Sequence, residues 1–260
     1  MPPSSANRLV IALAQIPAIV GDIAGNRDRL RKARKEAAAF GADIVMAPEL
    51  YLSGYPPEDL VLKPAFQEAC RAACEELARD TADGGPATLV GLPWVGDDGK
   101  LHNAMALLDG GRIEAVRFKV DLPNYGVFDE KRVFAPGPSP GPIVFRGVRV
   151  GVPICEDIWG PDPVECILET GGEILLVGNA SPYERDKLAI RQSIAVARVV
   201  ESGLPLIYLN MVGGQDELAF DGGSFALNAD RSLGAQLPAF RPMVARTVCQ
   251  LLEDDINFIG

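Results

Sequence analysis

The sequence predicts an α/β protein whose strands form mixed sheets, and three observations carry that prediction. Apolar runs alternate with helix-period segments through the first hundred residues. The middle and the end carry hairpin signals instead, while helix–strand alternation resumes after residue 155. With 260 residues, 48% of them apolar and 23% charged, the chain is long enough for a large core, and its composition argues against disorder. One compact unit is read, without internal repeats or a low-complexity linker.

Residues 9–14 are an unbroken apolar run, the pattern of a strand covered on both faces. After the turn at Gly21-Asp22, apolar positions recur at helical intervals over 26–40, and Gly41 supplies the C-terminal cap. Residues 43–47 read as a second buried strand, closed by Pro48, and a strand–helix–strand opening makes the two strands parallel neighbours or nearly so. A second helix spans 64–80 and leads through Gly84-Gly85 into a strand at 87–92. Residues 101–108 and 112–118 flank Asp109-Gly110-Gly111, a hairpin signal. Strands follow at 147–154 and 173–177, then a helix at 186–202, a strand at 205–211, and a closing hairpin of 221–227 with 232–237.

Charge and cysteine usage exclude several functions. The formal charge of −10 disfavours a nucleic-acid partner, and the one basic block, 29–35, alternates with apolar residues as a solvated helix face does. The five cysteines are odd in number and without repeated spacing, which suits reduced thiols in a cytoplasm. Cys70 and Cys74 share a helix face as packing residues; with one histidine in the chain, no metal site is read. The N-terminus, 1–7, is short and polar, and the apolar stretch 9–20 is too short and interrupted to span a membrane, so no membrane partner is expected. No dinucleotide or Walker fingerprint occurs. His102, in a hairpin strand and far from any Gly-x-Ser-x-Gly elbow, reads as structural.

Three chemically different groups each follow a strand within a residue or two: Glu49, Lys119 and Cys155. Ligands of open α/β sheets gather at such ends. Taken singly, each has a bland explanation as a surface charge or a packed thiol. Together, a thiol nucleophile, a carboxylate base and a cationic oxyanion donor suffice for acyl transfer without histidine.

The segments Ala47-Pro-Glu-Leu50, Phe118-Lys-Val-Asp-Leu-Pro-Asn-Tyr125 and Pro153-Ile-Cys-Glu-Asp-Ile-Trp159 resemble the three signature stretches of the nitrilase, or carbon–nitrogen hydrolase, superfamily. Leu52-Ser-Gly-Tyr-Pro-Pro-Glu-Asp-Leu60, 122–132 and Asn179-Ala-Ser-Pro-Tyr183 resemble the glutaminase domains of glutamine-dependent NAD synthetases. The likeness runs from about residue 8 to 240, with all three triad segments in order, so the domain is taken as 1–240 and residues 241–260 as a tail or linker that includes Asp254-Asp255. The resemblance implies a four-layer α-β-β-α sandwich of two mixed sheets, homo-oligomerisation, and glutamine or another small amide as substrate. It also implies Cys155 as nucleophile, Glu49 as base and acid, Lys119 with the Glu156 N–H as oxyanion donors, and Glu130 as an orienting second glutamate. Tyr55, Tyr125 and Phe128 would wall the pocket. Ser181 and Lys187 would hold the substrate's α-amino and α-carboxylate ends, with Arg185 as the alternative cation.

The chain departs from those synthetases in one respect: no Ser-Gly-Gly-x-Asp-Ser loop of an ATP pyrophosphatase half occurs. No cofactor is expected in this chain, and ATP and magnesium would belong to a separate ammonia-accepting synthetase domain or subunit. A free-standing amidase acting on another small amide or a carbamoyl compound, and a non-catalytic docking module, are the alternatives.

Overall fold

A computed structural model describes residues 8–252 and 255–259 of the chain; residues 1–7 and Asp254, on which two of the expectations fall, lie outside them. One sheet has seven strands. β1 (Arg8–Gln15) and β2 (Ile44–Met46) are followed by β3 (Ala87–Val95), β4 (Leu101–Asp109) and β5 (Arg112–Phe118). The other has six: β6 (Ile143–Phe145), β7 (Val148–Gly151), β8 (Ile174–Asn179), β9 (Leu206–Asn210), β12 (Phe225–Leu227) and β13 (Leu233–Gln236). A small hairpin, β10 (Val212–Gln215) with β11 (Leu218–Asp221), stands apart, and β14 (Met243–Leu252) and β15 (Asp255–Ile259) complete the first sheet. The strand orders are β15-β14-β1-β2-β3-β4-β5 and β13-β12-β9-β8-β7-β6. The helices are α1 (Ile23–Ala39), α2 (Pro64–Asp80), α3 (Glu130–Val133), α4 (Asp162–Glu169) and α5 (Lys187–Ser202).

Three separate cores make this a four-layer sandwich. Successive strand residues point to opposite faces, so β1 sends Leu9, Ile11 and Leu13 toward the second sheet and Ala12 and Ala14 toward the helices. The central core joins those leucines and Ile11 to Ile174, Leu176, Ile207 and Leu209 of the other sheet. On one outer face, Leu30, Ala33 and Ala37 of α1 and Cys74 and Leu77 of α2 cover Val45, Val90 and Leu92. On the other, Val164 and Ile167 of α4 and Ala195 and Val199 of α5 cover Leu175, Val177 and Tyr208. Strands covered on both sides explain why the sequence shows continuous apolar runs. The α-β-β-α architecture expected from the sequence is therefore present.

Strand direction puts the chemistry at one end. β1, β2 and β3 are parallel, and two antiparallel pairings from β3 through β4 return β5 to the same direction. In the second sheet β7, β8 and β9 are parallel. Residues following β2, β5, β7 and β8 are the ones that build the candidate site.

The departures from expectation are local. Helix α1 begins three residues earlier than read, because Asp22 is its N-cap and accepts the Gly25 N–H at 3.0 Å. The segment read as a C-terminal tail is an integral strand: β14 pairs antiparallel with β1 from Gln15↔Met243 to Arg8↔Gln250, with Cys249 fully buried. His102 is structural as expected, stacked on Phe118 at 4.2 Å with its Nδ1 2.9 Å from the Ala135 carbonyl oxygen. Cys70 and Cys74 are buried packing residues whose thiols burial pushes up to about 12. Among the described residues no helix is long and apolar enough to cross a membrane.

Candidate active site

A buried hydrogen-bonded cluster joins residues from the loops after β2, β5 and β8 with Asn103 of β4 and Glu130 of α3. Lys119 follows β5 directly, and its backbone is pinned on both sides: its N–H donates to the Asn103 carbonyl at 2.8 Å, and its own carbonyl accepts the Gly137 N–H at 2.7 Å. Its ammonium reaches Glu49 Oε1 at 2.7 Å and Glu130 Oε1 at 2.8 Å. All three side chains are buried, Glu49 and Lys119 completely. Tyr55 donates its hydroxyl to Glu130 Oε1 at 2.9 Å. Asn103 Nδ2 bridges the two carboxylates, at 2.8 Å from Glu49 Oε1 and 3.3 Å from Glu130 Oε2. The Ala180 N–H, just beyond β8 in the other sheet, donates to Glu49 Oε2 at 3.0 Å.

The electrostatics follow from one cation between two carboxylates. Burial works to lower the Lys119 pKa, but Glu130 and Glu49 outweigh it and hold the ammonium well above its ordinary value. Burial pushes Glu130 above the usual carboxylate range, with Lys119 pulling the other way. Cys155 is 7% exposed at the edge of the cluster. Burial and the charges of Glu49, Glu130 and Glu156 push its thiol well above the ordinary value, and Lys119 opposes them. The resting sulfur is therefore protonated at neutral pH, and a base must take that proton when the sulfur reacts.

Cys155 follows β7 at the start of a 3₁₀ turn, Cys155–Ile158, with φ +46°. A non-glycine residue in this region costs about 1–3 kcal/mol and persists only where its surroundings over-determine it. Here Ile154 extends β7 by one parallel bridge to Gly178, and Asp157 closes the turn behind the sulfur. Tyr125, half exposed, donates to Glu156 Oε1 at 2.9 Å and packs edge-on against Phe128 at 5.4 Å. Tyr125 and Glu156 also line a cleft of about 670 Å³ with Asp121, Lys131, Phe134 and Trp159.

The remaining sequence-predicted contacts are placed as follows. The Ser181 hydroxyl accepts the Nε–H of Arg191 at 3.1 Å. The Lys187 ammonium lies 3.4 Å from Glu184 and 5.2 Å from the centre of the Trp159 ring, and Arg185 is exposed. The structure thus brings Glu49, Lys119, Glu130, Tyr55 and Cys155 into one centre, sets Tyr125 and Glu156 beside it with Phe128 packed on Tyr125, and leaves Lys187 paired beside Trp159.

Two members of this assembly escaped the sequence reading. Asn103 lies inside an apolar strand run, where a buried amide must find partners; that mismatch was its only signal. Arg191 is 1% exposed on α5. It pairs with Asp221 at 2.7 Å and donates to the carbonyls of Ser181 and Pro182 at 2.8 Å each, anchoring the loop after β8. Nothing in its helical context sets it apart from a surface arginine.

Gly91 holds Glu49 in place by being small. A Cβ there would lie 2.3 Å from Leu50 N and 2.4 Å from the Pro48 carbonyl oxygen, both backbone atoms. Gly91→Ala should therefore cost about 1–3 kcal/mol by overpacking and lower the turnover of any reaction at Glu49 by about 10²-fold through displacement. Denaturant unfolding and steady-state rates check this, and wild-type values for both would show that the Pro48–Leu50 segment yields freely.

Comparison with known proteins came to the same region of the chain. The family model described as carbon-nitrogen hydrolase matches residues 10–251. A glutamine-dependent NAD(+) synthetase of Rhodobacter capsulatus is 47% identical over 238 residues, 92% of this chain and 43% of that protein. That of Thermotoga maritima is 40% identical over 85% of this chain and 38% of its own length. Among solved structures, the glutamine-dependent NAD+ synthetase of Acinetobacter baumannii in complex with ADP superposes with a TM-score of 0.88 at 34% identity, covering 93% of this chain and 45% of that one. An amidase double mutant from Nesterenkonia sp. AN1 in complex with acrylamide gives 0.83 at 27% identity, covering 97% and 94%. The chain spans less than half the length of the synthetases it matches.

Proposed function

The chain belongs to the carbon-nitrogen hydrolase family, and from that premise we propose that it hydrolyses the side-chain amide of glutamine, releasing ammonia through a thioester on Cys155. The observation that carries the reading is the buried ammonium of Lys119, held at 2.7 Å from Glu49 and 2.8 Å from Glu130 with the Cys155 thiol in their field. It is a nucleophile, a base and a fixed cation in one dry centre.

In this mechanism Glu49 takes the thiol proton as Cys155 attacks the amide carbon. Among the described residues Glu49 Oε1 is saturated by Lys119 and Asn103, whereas Oε2 accepts one donor, the Ala180 N–H, and retains a lone pair for the proton. Concerted transfer suits a thiol that is protonated at rest. Lys119 and the Glu156 N–H stabilise the oxyanion, a donor of this kind contributing about 10²- to 10³-fold in rate. Glu49 then returns the proton to the leaving ammonia. Water, deprotonated by the same carboxylate, cleaves the thioester to glutamate and restores the thiol. Glu130, tied to Tyr55 and Asn103, holds the ammonium on line. Tyr125 and Phe128 wall the substrate, and Ser181 and Lys187 receive its α-amino and α-carboxylate groups.

The likeness to synthetases supports an ammonia-accepting partner that carries the ATP- and magnesium-dependent step of NAD synthesis. A second reading, a small-amide amidase, is favoured by one observation: the Nesterenkonia amidase matches this chain over 94% of its own length. Incubation with glutamine, and separately with acetamide, separates them. Glutamate release without ATP is the expected result; acetamide hydrolysis with glutamine untouched establishes the amidase reading instead.

A further inference from the structure

Among the described residues no hydrogen-bonded ladder joins the two large sheets, yet the candidate centre takes Lys119 from the end of β5 in one and Cys155 from beyond β7 in the other. The separation of ammonium and thiol therefore depends on what bridges the sheets at that edge. Asp157 does so, at 1% exposure. Its Oδ1 accepts the N–H of Val120 at 2.9 Å and of Asp121 at 2.8 Å, the two residues following Lys119. Its Oδ2 accepts the N–H of Ile154, the residue before Cys155, at 2.8 Å. Its own N–H donates to the Ile154 carbonyl at 3.0 Å, so the turn around Cys155 is closed from both directions.

A carboxylate three residues into a helical turn commonly bonds back to the residue before it, and the Ile154 contact alone would be that. The two bonds to Oδ1 are different in kind, because they reach a segment 36 and 37 positions earlier in the sequence that runs on from β5 of the other sheet. We propose that Asp157 is a positioning residue of this centre: it fastens the chain behind Lys119 to the turn carrying Cys155. In doing so it sets the ammonium–thiol geometry and holds Cys155 in its left-handed conformation. This rests on the hydrolytic reading above. Both oxygens of Asp157 are acceptors, so an amide at this position turns one N–H toward a backbone N–H whichever way it lies.

The test is Asp157→Asn, read in two ways. Turnover of glutamine should fall about 10- to 100-fold with KM within about threefold, the pattern of lost alignment rather than lost binding. The pH profile of Cys155 alkylation by iodoacetamide should move to higher pH. Burial pushes the Asp157 carboxyl up to about 7, so it is charged in the alkaline range where the thiol titrates, and removing that charge directly would lower the thiol pKa; an upward shift reports that Lys119, which pulls the thiol down, has moved away. A profile unchanged or moved to lower pH, with turnover retained, overturns the proposal. Should the variant not fold, Asp121→Pro deletes one of the three donors at the half-buried end of the strap and carries the same readouts, with a fall of about 3- to 10-fold. Alkylation needs no substrate, so an upward shift in an enzyme inert toward glutamine would condemn the choice of substrate and leave the strap standing.

Discussion

Cys155→Ala should lower glutamate release from glutamine by about 10⁴-fold or more, because no covalent path remains once the sulfur is gone. Stability should change little. The substitution removes one atom, and because burial and the neighbouring carboxylates keep that sulfur uncharged at rest, no ion pair is lost with it. A cysteine present for packing predicts the reverse pattern, a loss of about 2 kcal/mol or more from core truncation with the reaction rate untouched. Thermal unfolding and a glutamate assay on the same preparation decide between them. Equal rates for variant and wild type would remove Cys155 from the mechanism.

Lys119→Met should be severe in both respects. The methionine fills the same space, but Glu49 and Glu130 are left facing each other in a buried site without their shared cation. Breaking such a pair from one side costs about 3–5 kcal/mol, and the oxyanion loses its cationic donor, a further factor of about 10²–10³ in rate. The stability loss should depend on pH. Glu130 already titrates above the usual range because of its burial, and Lys119 is what pulls it down. Without that pull its folded pKa rises further above the unfolded value of about 4.3. A raised folded pKa contributes stability that is full below the unfolded pKa and lost as pH climbs through the folded one. The variant's deficit should therefore be small near pH 4 and grow toward pH 8. A deficit that is flat across this range would mean that the carboxylates are not the source of the loss.

The legible parts of this molecule are those written in local patterns. Helix α2 spans the residues that its periodicity and flanking turn signals mark, and the β4–β5 hairpin turns at Gly110 and Gly111, both at positive φ. Glu49, Lys119 and Cys155 stand out because each breaks an apolar run at a strand end. What stayed hidden depends on partners distant in sequence. Asn103 matters through Glu49, 54 positions away, and Asp157 through Val120, 37 positions away. Arg191 looks like any helical arginine until the loop after β8 folds beneath it. Strand β14 turns Met243, Ala245 and Cys249 to the central core and Val244 to the helix side, but its pairing partner is the first strand of the domain, so the end of the sequence likeness was a poor guide to the end of the sheet.

That last pairing has a consequence for how the protein is made. β1 lies between β2 and β14, and β14 is translated roughly 230 residues later, which at an elongation rate of about 5–20 residues per second is a wait of about 10–50 s. Throughout that interval the nascent chain presents an open, apolar strand edge of the kind that recruits other chains. Chaperone occupancy on the ribosome should accordingly persist until β14 emerges, and truncations that stop short of Met243 should aggregate rather than accumulate as soluble domains.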